Sequence, residues 1–177
     1  MALVIVIGEA LGVSACVLPE DLHAPQEHAP HLLAALSTPE PGIVFSVARS
    51  AAGSPQSRQT FTTVVVDADD QVLLARAFVD GRYDRALALN NDRIPPAPPA
   101  ITDGRRTHLF DIDGLCDAPV NNVLGRHVLE FYVSDNGFVG RGSDLRVPNP
   151  GGLRDSLLWV FNCVEPLPPS VEAGGAP

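Results

Sequence analysis

The chain of 177 residues has room for one core with tails and excludes two domains of ordinary size. Its 17 Pro and 15 Gly, set against 45% hydrophobic residues, favour many turns and short elements over long helices, and so an all-β domain. A formal net charge of −9, with all 12 basic residues Arg, argues against nucleic acid as a partner, because phosphate binding needs clustered positive charge.

Residues 2–15, ALVIVIGEALGVSA, are apolar apart from Glu9 and fall short of the roughly 20 residues a membrane-spanning helix needs. The run resembles the core of an export signal, and Val13-Ser14-Ala15-Cys16 resembles the lipobox of bacterial lipoproteins. That resemblance implies a signal peptide over 1–15 and lipid on Cys16, which anchors the chain stably if more than one acyl chain is attached. Val17, where an Asp would imply inner-membrane retention, points to the outer membrane. No Lys or Arg precedes the run and Glu9 interrupts it, so a signal requires a start further upstream; the alternative is a buried strand over 3–7. Residues 16–41 follow as a solvated tether, because Pro19, Pro25, Pro30, Pro39 and Pro41 prevent a continuous helix. His23, His28 and His31 lie within it without the spacing of a metal site.

From residue 42 the texture changes to alternating and β-branched runs separated by turns, the pattern of a sandwich or barrel. Ile43, Phe45 and Val47 form the inward side of a first strand, and 50–58 is a loop. Residues 61–67, FTTVVVD, and 71–80, QVLLARAFVD, predict a hairpin across Ala68-Asp69-Asp70. Residues 87–101 carry Pro95, Pro96, Pro98 and Pro99, which cannot sit in a central strand, so this connection lies on a rim or covers a sheet edge. Residues 106–112, RTHLFDI, predict a further strand. In 125–138, GRHVLEFYVSDNGF, Leu129, Phe131 and Val133 share one face while Glu130, Tyr132 and Ser134 share the other, a half-buried strand closed by an Asp-Asn-Gly turn. In 155–164, DSLLWVFNCV, both faces are largely apolar, which predicts cover on both sides. Between these two strands, 139–152 is a Gly- and Pro-rich excursion, and 166–177 is a disordered tail.

Three cysteines leave one unpaired or modified in an exported protein. Cys116 and Cys163 flank the last strand pair, and a bridge closing a loop of about 47 residues restricts the unfolded chain by roughly 4 kcal/mol in the entropy model. Cys16 is then the odd one. Asp67, Asp69 and Asp70 form a turn of hard oxygen ligands that suits Ca²⁺, with Asp80, Asp84, Asp111, Asp113 and Asp135 as further ligands if their loops converge. Asx turns account for the same residues without an ion. No GxSxG, HExxH or Gly-rich phosphate loop is present, His108 and His127 fall within strand patterns, and no catalytic residue is assigned.

VVVDADDQVLLARAFVD (64–80), Cys116, HVLEFYVSDNGF (127–138) and DSLLWVFNC (155–163) together resemble the immunoglobulin-like or cadherin-like β-sandwich domains of secreted bacterial proteins, especially small envelope lipoproteins. The resemblance implies a single antiparallel sandwich of about six or seven strands over 42–165. It departs from antibody domains in that Trp159 shares a strand with the second cysteine. The function expected is a non-enzymatic, lipid-anchored binding or structural module of the envelope, with another envelope protein as a possible partner. The alternatives are a secreted or periplasmic calcium-stabilised adhesion module and a small hydrolase with an unrecognised site. A sandwich hosts many unrelated functions.

Overall fold

The structure, a computed structural model, describes residues 27–51, 54, 56–69, 71–82, 89–140 and 145–166. It is an all-β sandwich with the immunoglobulin-like layering expected. Eight strands are present among the described residues: β1 (His31–Leu32), β2 (Phe45–Ala48), β3 (Arg58–Val66), β4 (Leu73–Val79), β5 (Leu89–Ile94), β6 (Arg105–Asp113), β7 (Gly125–Ser134) and β8 (Arg154–Val164). One sheet has the order β1-β3-β6 and the other β2-β8-β7-β4-β5. All pairings are antiparallel except β2 on β8, which is parallel, so the sandwich is not wholly antiparallel as expected.

The period of two along each strand decides what is buried. On β7 it turns Leu129, Phe131 and Val133 inward, as predicted, opposite Trp159, Leu157 and Asp155 of β8. Trp159 is fully buried at the centre, with Phe61 of the facing sheet at 5.2 Å between ring centroids and Phe131 at 6.0 Å; Phe110 stacks on Phe131 at 4.9 Å. Such offset and edge-on pairs add to the area they bury. Cys116, in the loop after β6, is bonded to Cys163 on β8, so the disulfide staples the two sheets together.

Further expectations are corrected. First, β3 and β4 do not form a hairpin. β3 pairs with β1 and β6 while β4 pairs with β5 and β7, so the turn after β3 carries the chain from one sheet to the other. Second, the part of the expected tether within the described residues is packed onto the domain. Leu32 is buried, Thr38 bridges Thr62, and the Trp159 indole N–H donates to the Pro39 carbonyl at 2.6 Å. A buried indole N–H needs such an acceptor, and prolines in an extended segment leave their carbonyls free to provide one. Third, 87–101 contains strand β5, whose register slips where Asn91 takes φ +52, a conformation Asn tolerates. Fourth, β8 is covered on one side only: Leu158 on its outer face is 53% exposed. Ile43, expected inward, lies outside β2 and is exposed.

The excursion after β7 folds back over the outer face of the five-stranded sheet and returns through a bridge between Phe138 and Pro148. Beneath it lies Arg76 of β4, buried, donating to Asn91 Oδ1 at 2.8 Å, the Val139 carbonyl at 2.9 Å and the Leu145 carbonyl at 3.1 Å, with its guanidinium 5.1 Å from the Phe138 ring. Arg146 stands over Phe78 and Tyr132 and pairs with Glu130.

Candidate functional site

The candidate site is the end of the sandwich where the sheet-crossing turn, the start of β6 and the proline-rich connection meet. It begins from an arginine in an inward position. Alternation along β6 sends Arg106 to the same face as His108, Phe110 and Ile112, and Arg106 is 4% exposed. A charge there is costly unless paired and hydrogen-bonded. Its Nη2 donates to Asp67 Oδ2 at 2.8 Å and to the Asp69 carbonyl, while Nη1 donates to the Gln71 carbonyl at 2.6 Å. One guanidinium therefore clamps residues 67, 69 and 71, the whole turn between the sheets.

Asp67 is 2% exposed, and burial pushes its carboxyl above the ordinary carboxylate range, while the Asp69 N–H and Arg106 pull it back. Asp69 is held below that range, first by the His28 backbone N–H, which donates to Oδ2 at 2.9 Å. Gly104 closes the turn from the other side. Its carbonyl accepts from Asp67 N at 3.1 Å, its φ is +67, and a Cβ there would lie 2.2 Å from the Asp67 carbonyl oxygen. Only glycine meets both conditions.

The connection from β5 to β6 runs beside this clamp. Ile94, fully buried, anchors its start, and Ile101 N donates to the Pro98 carbonyl at 2.8 Å to turn it back. Pro96, Pro98 and Ile101 line a depression of about 450 Å³ with Asp67, Asp69 and Arg106, and a second of about 310 Å³ with Arg105, Arg106 and Thr107. The prolines lie on the rim of the sandwich beside the first residues of β6, of which Arg105 and Thr107 stay exposed. Further along, where the edges of the two sheets meet, His108 Nε2 lies 3.1 Å from Asp92 Oδ2 of β5, out of line for a hydrogen bond. Burial pushes the His108 imidazole down, against the pull of Asp92.

Of the residues singled out from the sequence, Cys116 and Cys163 form the disulfide, Asp67 and Asp69 come together in the clamped turn, and Cys16 and Asp70 lie outside the described residues. Asp84, one of the further carboxylates, also lies outside them. The others do not converge: Asp80 holds His127 Nδ1 at 2.7 Å, Asp111 and Asp113 face Arg58, and Asp135 accepts from Leu153 N. Among the described residues, no group of three His, Cys, Asp or Glu side chains is arranged to hold a metal ion. Sequence reasoning missed Arg106. The signal was present in RTHLFDI, where Arg106 and His108 alternate onto the same face as two core residues and so require buried partners.

No family model and no curated protein matches the chain. One chain of the crystal structure of the complex between zinc 2-glycoprotein and prolactin inducible protein from human seminal plasma is similar, at 12% identity and a TM-score of 0.38, over 80% of this chain and 99% of that one. A likeness at that level says nothing of function.

Proposed function

We propose that this chain is a non-enzymatic binding or structural module of a bacterial cell envelope, held at the outer membrane by lipid on Cys16. The observation that supports it is the Cys116–Cys163 disulfide, buried between the sheets. Structural disulfides persist in oxidising compartments, so a sheet-to-sheet staple fits an exported protein. It also accounts for the cysteines by leaving Cys16 for modification. The hydrogen-bonded ionisable pairs with a buried member, Asp67 with Arg106 and His127 with Asp80, each tie one strand or turn to another, which suits a scaffold. Mass spectrometry of the protein from the membrane fraction of a bacterial host tests the anchor. The expected mature terminus is an acylated Cys16; an unprocessed Met1 terminus in that fraction overturns it.

A further inference from the structure

We propose that the chain associates with a second copy of itself through the free edge of β6, which pairs antiparallel with β6 of that copy about a two-fold axis at Leu109. The sheet order leaves this edge open, since β6 is the last strand of β1-β3-β6. The bonds that flank the β3–β6 ladder fix which backbone groups remain over. Asp67 N donates to the Gly104 carbonyl and Gly114 N to the Ser57 carbonyl, and the register between them runs unbroken from Arg58 opposite Asp113 to Val66 opposite Arg105. Even-numbered residues of β6 therefore turn their N–H and C=O groups to β3, and odd-numbered residues turn theirs outward. Among the described residues these outward groups meet no backbone partner, and Arg105 N donates to Asp103 Oδ1 at 3.1 Å.

Proteins blunt such an edge by shortness, a bulge or proline. The other three edges show these devices: β1 has two residues, β2 has four, and β5 slips register on β4 and runs into Pro95. β6 has nine residues, an unbroken register and no proline. Its inward charge, Arg106, is neutralised by Asp67 and so does not guard the edge.

The outer side chains of β6 identify the occupant as a second copy. In order they are Arg105, Thr107, Leu109, Asp111 and Asp113, all exposed, and Leu109, at 63%, is the most exposed large apolar side chain among the described residues. A two-fold interface sets one patch against itself, so the patch must be self-complementary. This row is: laid antiparallel about Leu109, it brings Arg105 opposite Asp113 of the second copy and Thr107 opposite Asp111, each twice, with the two Leu109 side chains meeting at the axis. The register sets odd residue opposite odd residue, so the outward N–H and C=O groups bond in pairs, and no other two-fold register pairs all five. Asp113 already faces Arg58, and Arg105 faces Asp103, in exposed pairs of the kind that contribute little; in the dimer each charge gains a second opposite neighbour. The pairing joins the two three-stranded sheets into one continuous sheet.

Sedimentation velocity of the full-length protein over a range of concentrations reads the association, and a dimer is expected. R105D and D113R should each weaken it about tenfold, because two opposite-charge pairs become like-charge pairs. An equimolar mixture of the two variants should recover it, because each altered residue then meets its opposite. L109P should abolish the dimer and leave the monomer folded, since the N–H it removes points away from β3. A monomer at every concentration overturns the proposal. So does a dimer that R105D and D113R leave as strong apart as mixed, which would place the contact elsewhere, as on the exposed Leu158 face of β8. If L109P melts earlier than the parent, the charge variants decide.

Discussion

Arg106 and Arg76 are both 4% exposed, and the sandwich accommodates them by opposite means. Arg106 meets a carboxylate, Asp67, itself shut from solvent, and the pair sits where the chain changes sheets. Among the described residues Arg76 has no carboxylate; it is met by the carbonyls of Val139 and Leu145 and the face of Phe138, supplied by the excursion after β7, and by the amide oxygen of Asn91 on β5. A paired charge makes each partner depend on the other, because removing either strands a buried ion. A charge shared among neutral dipoles and a ring has no such single dependence. The first arrangement fixes topology, and the second holds a loop in place over a sheet already formed.

The largest expected effect breaks the first arrangement. D67A leaves the Arg106 guanidinium buried without its counter-ion and should cost about 3–5 kcal/mol in urea unfolding. The double variant D67L/R106M, which removes both charges, should cost less than D67A alone. If D67A is as stable as the parent, the clamp does not hold the turn. R76M comes next. It keeps the apolar stem and drops the donors, at about 1–3 kcal/mol, since carbonyls near the surface regain water. Its effect should be local, with faster amide exchange at Val139 and Asn149, whose N–H groups hold the return of the loop. A cost for R76M matching that of D67A would erase the distinction.

The two regions were unequally legible in the sequence. Alternation in 127–134 identified one core strand, because burial of one face writes a period of two directly into the residues, and the apolar run 155–163 identified its partner but not that only one of its faces is covered. The cysteine pairing followed from their position beside those strands. The sheet-crossing turn was not legible: two β-favouring runs joined by Ala-Asp-Asp look the same whether they pair with each other or with distant strands. What separates them is Arg106, a residue 37 positions from the Asp69 carbonyl it bonds. The N-terminal strap failed for the same reason. Its prolines prevent a continuous helix, but the partner of the Pro39 carbonyl is Trp159, 120 positions away. The outer cover over Arg76 rests on cation–ring contacts that carry no periodic signal.

Acid should act on the paired region. His108, between the clamp and β5, is pushed down from an ordinary value of 6.5 by burial. A base whose native pKa is lowered takes up its proton first in the unfolded chain. Stability therefore falls as pH drops below 6.5 and is unaffected above it. Urea midpoints followed from pH 7 downward should show this loss, and H108Q should remove that part of the slope. A slope unchanged in H108Q would assign it to another group.

Alkali should act on the outer cover, with the smallest effect. Tyr132 lies under Arg146 and Arg154, and its hydroxyl donates to Glu130 Oε2 at 2.8 Å. Burial, helped by Glu130, pushes its phenol up from 10.0 to about 12, although the two guanidinium groups pull the other way. Between these values the unfolded chain releases the proton first, the native state holds more protons, and stability falls as pH rises. Difference spectra between the parent and Y132F should show a phenolate step near pH 12 that belongs to this residue. A step near pH 10 would mean that the ring is open to water, and that the loop carrying Arg146 does not lie over the sheet as Arg76 and Phe138 would hold it.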